Sequence, residues 1–170
     1  TPLFVKPACL GSSVGISKVR EAAALAPALA DAARYDRKLL VEQASDAREI
    51  EVAVIGTHEP EASVPGEIIP KRDWYDYQAK YADDETELVI PAELDEARTE
   101  EVRRLALAAY RCLEGGGLGR VDFFLCRATD RFYVSEVNSL PGFTEMSMFP
   151  RLWQASGLPY TALLDRLIEQ

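Results

Sequence analysis

The spacing of apolar and polar residues predicts short strands in the first half of the chain. Alternating or continuous apolar runs of a few residues, ended by turn residues, are typical of β-strands. Such runs occur at residues 3–5, 39–43 and 50–56, and a further strand is expected within residues 61–69. Residues 20–34 are instead rich in Ala and Leu at helical spacing, and Pro27 should kink or split that helix.

The second half of the chain predicts one long helix, a hairpin and two further helices. The long helix runs from residue 94 to about residue 113, is stopped by three consecutive glycines, and the later helices cover residues 147–156 and 160–169. The apolar face of the long helix consists of Val102, Leu105, Ala106, Ala109 and Leu113. Strands and helices without regular βαβ alternation favour an α+β fold with antiparallel sheets. We expect two lobes, residues 1–70 and residues 71–170, with a long functional loop at 71–87.

The hairpin carries the most informative chemistry of the chain. Arg120 and Asp122 lie two residues apart on its first strand, as do Glu136 and Asn138 on its second, so each pair shares a face. If residue 127 opposes residue 131 across a three-residue loop, Asp122 falls opposite Glu136 and all four side chains converge. A two-residue loop would shift the register by one and separate them.

Asp122, Glu136 and Asn138 together offer only oxygen ligands. Such a set suits a hard cation, Mg²⁺ or Mn²⁺, which is usually held jointly with substrate phosphates. The alternative is a solvated sheet face, although the apolar neighbours of these residues weigh against it.

Composition excludes several classes of function. The chain has 170 residues, no apolar run of membrane-spanning length and a formal charge of -9, which argues against a general nucleic-acid or membrane binder. Its three cysteines are irregularly spaced and read as reduced thiols of a cytoplasmic protein rather than as zinc ligands or disulfides. The single histidine, His58, lies in an expected exposed turn, so chemistry must depend on carboxylates, Lys, Arg and metal.

Other segments have both a functional and a structural interpretation. The Gly/Ser loop at 11–15 could cover phosphates or be a plain flexible loop. Lys6 and Lys80 could meet a phosphate or be exposed lysines. Glu42 and Glu49 could accept hydrogen bonds from a nucleotide or belong to an exposed hairpin.

Taken in order, these segments resemble the C-terminal part of the D-alanine–D-alanine ligases, a family of ATP-grasp enzymes. The matching segments are residues 4–7, 11–15, 41–43, 48–51, 75–81, 120–124, 136–142 and 143–144. The resemblance implies two α+β lobes with antiparallel sheets and helices that hold ATP. It also implies that the chain lacks the N-terminal part of the family, which fits its abrupt start, and that alone it is inactive.

The resemblance assigns roles by position. The nucleotide would be held by Lys6 at the phosphates, the loop of Ser12 and Ser13, Glu42 at the adenine amine, Glu49 at the ribose and Lys80 near the transferred phosphate. Two Mg²⁺ (or Mn²⁺) ions would be carried by Asp122, Glu136 and Asn138. Arg120, Lys80, Ser13 and Tyr81 would be catalytic, and Tyr75, Arg120, Gly142, Ser147 and Met148 would contact D-alanine.

The implied reaction is ATP-dependent ligation of two D-alanine molecules through a D-alanyl phosphate, for peptidoglycan precursors. The implied partners are ATP and D-alanine, and the whole protein would be a cytoplasmic homodimer. Two alternatives stay open: another ATP-grasp carboxylate–amine ligase, such as a D-alanine–D-lactate enzyme, and a non-catalytic ATP-binding fragment. Tyr81 weighs against the D-lactate enzymes, whose loop typically has a histidine in the equivalent role.

Overall fold

A computed structural model of the protein describes residues 2–10, 14–70 and 86–169. The strands in these ranges are β1 (Leu3–Pro7), β2 (Ser17–Val19), β3 (Leu39–Gln43), β4 (Ala47–Ile55), β5 (Glu61–Ala62), β6 (Gly66–Pro70), β7 (Thr86–Val89), β8 (Leu118–Cys126) and β9 (Arg131–Asn138). The α-helices are α1 (Leu25–Ala32), α2 (Glu96–Cys112), α3 (Met148–Ala155) and α4 (Tyr160–Ile168).

The first compact unit comprises Thr1–Asp46 with Pro70–Thr86. Its sheet has the order β2-β1-β3, and β1 runs antiparallel to both neighbours. Val5 and Val19 from the sheet pack against Ala28 and Ala32 of α1 to form a small apolar core. Small alanines let the helix approach the sheet closely.

Residues 20–34 form less regular helix than predicted. A 3₁₀ turn at Ala22–Ala24 leads into α1, so the break lies before Pro27 rather than at it. Pro27 lies in the first turn of α1, where a backbone amide needs no helical partner. The proline is therefore accommodated within α1.

A carboxylate pins the segment between α1 and β3. Asp36 accepts hydrogen bonds from the backbone amides of Lys38 (3.1 Å) and Cys9 (2.8 Å). These two amides stabilise the ionised form and lower the pKa of the Asp36 carboxyl. Asp36 thus ties the end of β1 to the start of β3.

The second compact unit comprises Ala47–Ile69 with Glu87–Gln170. Its sheet has the order β7-β6-β4-β8-β9, with β5 added beside β4. Strand β4 runs antiparallel to β5, β6 and β8, and β8 runs antiparallel to β9. The predicted lobe boundary near residue 70 falls between strands that are hydrogen-bonded to each other, because β4 pairs with β8 along its whole length. In the structure the chain enters the second unit at residue 47.

Helix α2 covers one face of this second sheet. Asp95 caps its N-terminus by accepting a hydrogen bond from the amide of Arg98 at 2.8 Å. Val102 and Ala106 are buried as predicted, against sheet residues of the same core. Leu113 was expected on this face, but it is 65% exposed because α2 ends at Cys112 and the chain turns away.

The C-terminal helices α3 and α4 occupy the two ranges that the sequence predicts. Their buried residues include Phe149, Leu152 and Leu163, each at 0% exposure. None of the helices in the described ranges is long and apolar enough to cross a membrane. The loop expected at 71–87 lies mostly outside the described residues, and from Thr86 onward the chain belongs to β7.

The expectations for His58 and the cysteines agree with the structure. His58 is exposed in the bend after β4. Cys9, Cys112 and Cys126 are all free thiols.

Candidate active site

Five polar side chains share one face of the second sheet, across three adjacent strands. Glu51 of β4 lies opposite Asp122 of β8, which lies opposite Glu136 of β9. In the next row Arg120 of β8 lies opposite Asn138 of β9. Because directly opposed residues in a sheet share a face, these five residues form one cluster, called here the polar patch.

The predicted pairing of Asp122 with Glu136 is confirmed, but the predicted hairpin loop is wrong. Cys126 rather than Arg127 opposes Arg131, so the loop contains four residues, 127–130. That loop alone would place Asp122 opposite Ser135. A register shift between the pairs of Asp122 and Phe123 leaves Ser135 as an extra residue in β9, a β-bulge that restores the pairing with Glu136.

Arg120 is the centre of the polar patch. Its Nε and Nη2 donate to the two carboxylate oxygens of Asp122, each at 2.7 Å. The same Nε lies 3.0 Å from Oε2 of Glu51. The side chains are 19% exposed for Arg120, 16% for Asp122 and 7% for Glu51, so this ion-pair network is largely shielded from water.

Burial and charge act in opposite directions on the pKa of Arg120. Burial disfavours the charged guanidinium, but the hydrogen bond to Asp122 and the charges of Glu51, Asp122 and Glu136 outweigh it and raise the pKa. Arg120 is therefore a permanent cation, suited to stabilising negative charge beside the sheet.

The carboxylates and the amide of the polar patch are spaced like neighbouring ligands of one ion. Nδ2 of Asn138 lies 2.9 Å from Oδ2 of Asp122 and 3.3 Å from Oε1 of Glu136. Adjacent ligands of an octahedral Mg²⁺ at 2.0–2.1 Å are separated by about 3 Å. A half-turn of the Asn138 amide presents its oxygen instead of its nitrogen, so the donor set fits a hard cation.

This set would not enclose an ion by itself. Within the described ranges no group of three or more His, Cys, Asp or Glu residues is arranged to hold a metal. Two carboxylates and an amide leave coordination positions for other oxygens, the usual situation for Mg²⁺ bound with phosphates.

Two of the residues expected at the nucleotide contact each other in the first unit. Nζ of Lys6 on β1 lies 2.7 Å from Oε2 of Glu42 on β3. Their side chains are 23% and 46% exposed, so both remain accessible to a ligand. Glu49 belongs to the second unit, where it lies opposite Phe124 and two residues before Glu51 on the same face of β4.

Comparison of the chain with known proteins identifies its family. The sequence model described as "D-ala D-ala ligase C-terminus" matches residues 1–169. The chain belongs to this ligase family. It is 53% identical over 167 residues to the D-alanine–D-alanine ligase of Geobacillus thermodenitrificans, covering 98% of this chain and 46% of that relative. It is 51% identical over 168 residues to that of Solibacter usitatus, covering 99% of this chain and 52% of the relative.

Solved structures of this ligase family show the same fold. The D-alanine–D-alanine ligase from Coxiella burnetii superposes with a TM-score of 0.86 at 40% identity, over 98% of this chain and 44% of that one. The VanG D-Ala:D-Ser ligase from Enterococcus faecalis gives 0.89 at 33% identity, over 99% and 49%. The expected α+β, ATP-grasp fold is thereby confirmed. The chain spans about half the length of these relatives.

The ligase family resemblance also singled out a segment after β9. A Cβ atom built on Gly142 would lie 3.1 Å from Oγ of Ser147. That hydroxyl accepts a hydrogen bond from the amide of Thr144 at 3.1 Å, and Ser147 is the residue that precedes α3. Met148 begins α3 but is 6% exposed, and its sulfur would lie 3.1 Å from a Cβ on Gly66. Gly142 and Ser147 thus meet at the start of α3, whereas the Met148 side chain packs inward.

The structure leaves part of the predicted set undescribed and adds one residue. Ser12, Ser13, Tyr75, Lys80 and Tyr81 lie outside the described residues. Glu51 was not predicted from sequence, yet it contacts Arg120. The sequence does contain a sign of it: Glu51 is a carboxylate between two apolar residues of a predicted strand, and it lies two residues after Glu49, on the same face.

Proposed function

We propose that the complete protein containing this chain joins two D-alanine molecules with ATP, through a D-alanyl phosphate, for peptidoglycan precursors. The observation that carries the proposal is the polar patch, with Arg120 beside two carboxylates and an amide suited to Mg²⁺, in a chain 51–55% identical to several D-alanine–D-alanine ligases. The proposal includes a cytoplasmic location and a homodimer, and no nucleic-acid or membrane partner.

In the first unit, Lys6 and Glu42 would serve the nucleotide. Lys6 is a cation that can move from Glu42 to a phosphate, and the released carboxylate can accept a hydrogen bond from the adenine amine. In the second unit, Glu49 would accept hydrogen bonds from the ribose hydroxyls. Ser12 and Ser13 would cover the phosphates.

Asp122, Glu136 and Asn138 would hold two Mg²⁺ or Mn²⁺ ions together with phosphate oxygens. When bound, these ions would offset the negative charge that builds on the phosphates during transfer. Arg120 engages both carboxylate oxygens of Asp122 in the structure, so Asp122 would have to free at least one of them to bind an ion.

Arg120 would stabilise the tetrahedral intermediate of the second step. The amine of the second D-alanine attacks the acyl phosphate, and negative charge develops on the former carbonyl oxygen. A fixed guanidinium fork can donate hydrogen bonds to that oxygen without reorganising, which is the main requirement for lowering such a barrier. No side chain needs to become a covalent nucleophile.

The start of α3 would receive the second D-alanine. Backbone amides at a helix N-terminus favour an anion, here the substrate carboxylate, and the Ser147 hydroxyl adds a donor. Gly142 leaves space beside that hydroxyl. Because its side chain is buried, Met148 would contribute through its backbone and by supporting Gly66.

Residues 71–87 would close over the site, with Tyr75 at the substrate and Lys80 and Tyr81 near the transferred phosphate. Exclusion of water would protect the acyl phosphate from hydrolysis. This part of the proposal rests on the sequence resemblance, because these three residues are outside the described ranges.

The alternative with a specific observation in its favour is ligation of D-alanine to D-serine. The VanG D-Ala:D-Ser ligase superposes with a TM-score of 0.89, but its identity of 33% is lower than the 53% shared with the Geobacillus D-alanine–D-alanine ligase. D-Lactate as second substrate is disfavoured by Tyr81, and a non-catalytic ATP-binding fragment remains the alternative from another class.

The test is ATP-dependent phosphate release by the complete protein with D-alanine alone, D-alanine plus D-serine, D-alanine plus D-lactate, or L-alanine. We expect release with D-alanine alone and D-alanyl-D-alanine as the product by mass spectrometry. Absence of release in every mixture, with ATP still bound, would leave the non-catalytic alternative.

A substitution of Lys80 tests its role near the transferred phosphate. Lys80→Ala in the complete protein should lower kcat by about 10²-fold or more while the Kd for ATP changes little. Lys38→Ala is the matched control, because its side chain is exposed and has no proposed role. An effect confined to ATP affinity would contradict the assignment.

A further inference from the structure

Glu51 is a buried carboxylate for which the proposed reaction has no use so far. It lies in the middle of β4, with the residue 5% exposed, between the fully buried Ile50 and Val52. A carboxylate is costly to bury unless a cation and hydrogen bonds compensate it. Its compensating cation is Arg120, at 3.0 Å from Oε2.

The other buried glutamate of this sheet shows what a purely structural pair looks like. Glu67, also in the second unit, accepts two hydrogen bonds from Arg48, at 2.8 and 2.6 Å. Glu67 pairs with Ile50 in the sheet register, so its side chain lies on the face opposite to Glu51. Burial alone therefore does not indicate that a glutamate is functional. Glu51 differs from Glu67 because its partner, Arg120, has a proposed role in the reaction.

Arg120 and a metal ion compete for the same atoms. The guanidinium occupies both oxygens of Asp122 at 2.7 Å, and an ion at Asp122 requires at least one of them. A guanidinium that is only 19% exposed cannot recover from water the hydrogen bonds that it gives up. Because a metal ion and a guanidinium on one carboxylate repel each other, a second acceptor for Arg120 would favour ion binding.

We propose that Glu51 is a positioning residue that retains Arg120 on the polar patch when Asp122 binds the metal. This inference rests on the proposed function and deepens it. Glu51 takes the guanidinium from Asp122, which frees a carboxylate oxygen for the ion. It also keeps the donor fork of Arg120 at the sheet surface, where the oxyanion develops. Without Glu51, Arg120 stays on Asp122 and opposes the ion.

The first measurement is the affinity of the complete protein for Mn²⁺ in the presence of ADP, with free Mn²⁺ counted by electron paramagnetic resonance. Glu51→Gln keeps the shape and removes the charge, and it should weaken Mn²⁺ binding about tenfold, the equivalent of one charge-assisted hydrogen bond. Glu51→Asp keeps the charge on a shorter stem and should recover part of the loss. Glu67→Gln is the matched control and should leave Mn²⁺ affinity unchanged.

A double-mutant comparison separates action through Arg120 from direct attraction of the ion. If Glu51 acts through Arg120, Glu51→Gln in an Arg120→Met background should change Mn²⁺ affinity by less than about twofold. A persistent tenfold effect would mean that Glu51 acts on the ion directly and would overturn the inference.

Steady-state kinetics provide an independent readout. Glu51→Gln should lower kcat by about 10²-fold with a small change in the KM for ATP, because it misplaces a group used in the transition state. Unchanged Mn²⁺ affinity and kcat in Glu51→Gln, with an active wild type, would refute the inference alone. A wild type with neither Mn²⁺ binding nor D-alanine-dependent phosphate release would refute the proposed function with it.

Discussion

Asp122 and Glu136 should behave alike as metal ligands but differently as parts of the fold. Asp122→Asn and Glu136→Gln each replace a carboxylate of the proposed ion site with an amide of the same shape. Both changes should abolish the gain in nucleotide affinity that Mg²⁺ produces. Only the first should also lower the free energy of unfolding in the absence of metal.

The difference follows from the contacts of the two carboxylates. Asp122 is 16% exposed and accepts two hydrogen bonds from Arg120 and one from Asn138. An amide in its place loses one charge-assisted hydrogen bond, a cost of about 1.5–3 kcal/mol. Because Arg120 keeps Glu51, the loss should stay below the roughly 3–5 kcal/mol typical when a buried ion pair is broken.

Glu136, in contrast, is exposed and has a 3.3 Å contact with Asn138. Its substitution should change the free energy of unfolding by less than about 0.5 kcal/mol, as for most surface positions. For Asp122→Asn, about 2 kcal/mol corresponds to a fall in Tm of roughly 4–8 °C.

Thermal unfolding of the metal-free proteins, together with nucleotide titrations at zero and saturating Mg²⁺, tests both statements. Equal stability of the two variants would show that the Arg120 contacts with Asp122 contribute nothing. An unchanged Mg²⁺ effect on nucleotide affinity in both variants would remove the metal assignment.

Three further predictions concern the supporting structure. Gly115→Ala should destabilise the protein by about 1–3 kcal/mol, because its Cβ would lie 2.5 Å from the Tyr110 ring, whereas Gly116→Ala, with 3.6 Å of clearance, should cost much less in the same denaturant titration. Asp95→Ala removes the N-cap of α2 and should lower the free energy of unfolding by about 1 kcal/mol; no change would mean that the cap is dispensable. Two backbone amides lower the pKa of Asp36 in the folded protein. The ionised carboxylate therefore stabilises the fold at pH values above its ordinary pKa of about 3.9, and this stabilisation is lost as the pH falls through the lower pKa of the folded state. Asp36→Asn should therefore reduce stability at neutral pH, and the deficit should shrink as the pH falls below the ordinary pKa of Asp; a deficit that does not change with pH would contradict the assignment.

Long elements with a clear period were predictable from sequence, and short elements were not. Helix α2 and the strands β3, β4, β8 and β9 each have five or more residues, so their sequence runs were long enough to recognise. Strand β2 has three residues and β7 has four, so neither is long enough to show a period. The lobe boundary depended on which distant strands pair, and local patterns do not contain that information: β4 joins β8 across more than sixty residues of chain.

The chemistry of the candidate site was predictable where residue types are specific, but the strand register and the contacts between its side chains were not. Oxygen ligands at a spacing of two on each strand indicated a hard-cation site, provided that the hairpin register brought the two strands' ligands together. The pairing of Asp122 with Glu136 was reached through a three-residue loop, whereas the structure reaches it through a four-residue loop and a bulge at Ser135. Glu51 was missed because a single carboxylate in a strand has no motif of its own, and only the register with Asp122 reveals it.

The charge of the polar patch connects the metal-free structure to the proposed reaction. Glu51, Asp122 and Glu136 contribute three negative charges and Arg120 one positive charge, which leaves a net charge of -2. One divalent cation would neutralise this surface, and a second would leave it positive in a partly shielded environment, where uncompensated charge is costly. The second of the two proposed ions therefore depends on negative charge that the nucleotide phosphates bring. On this reasoning the patch is arranged to complete its metal site only when ATP is present, and Arg120 leaves Asp122 at the same moment.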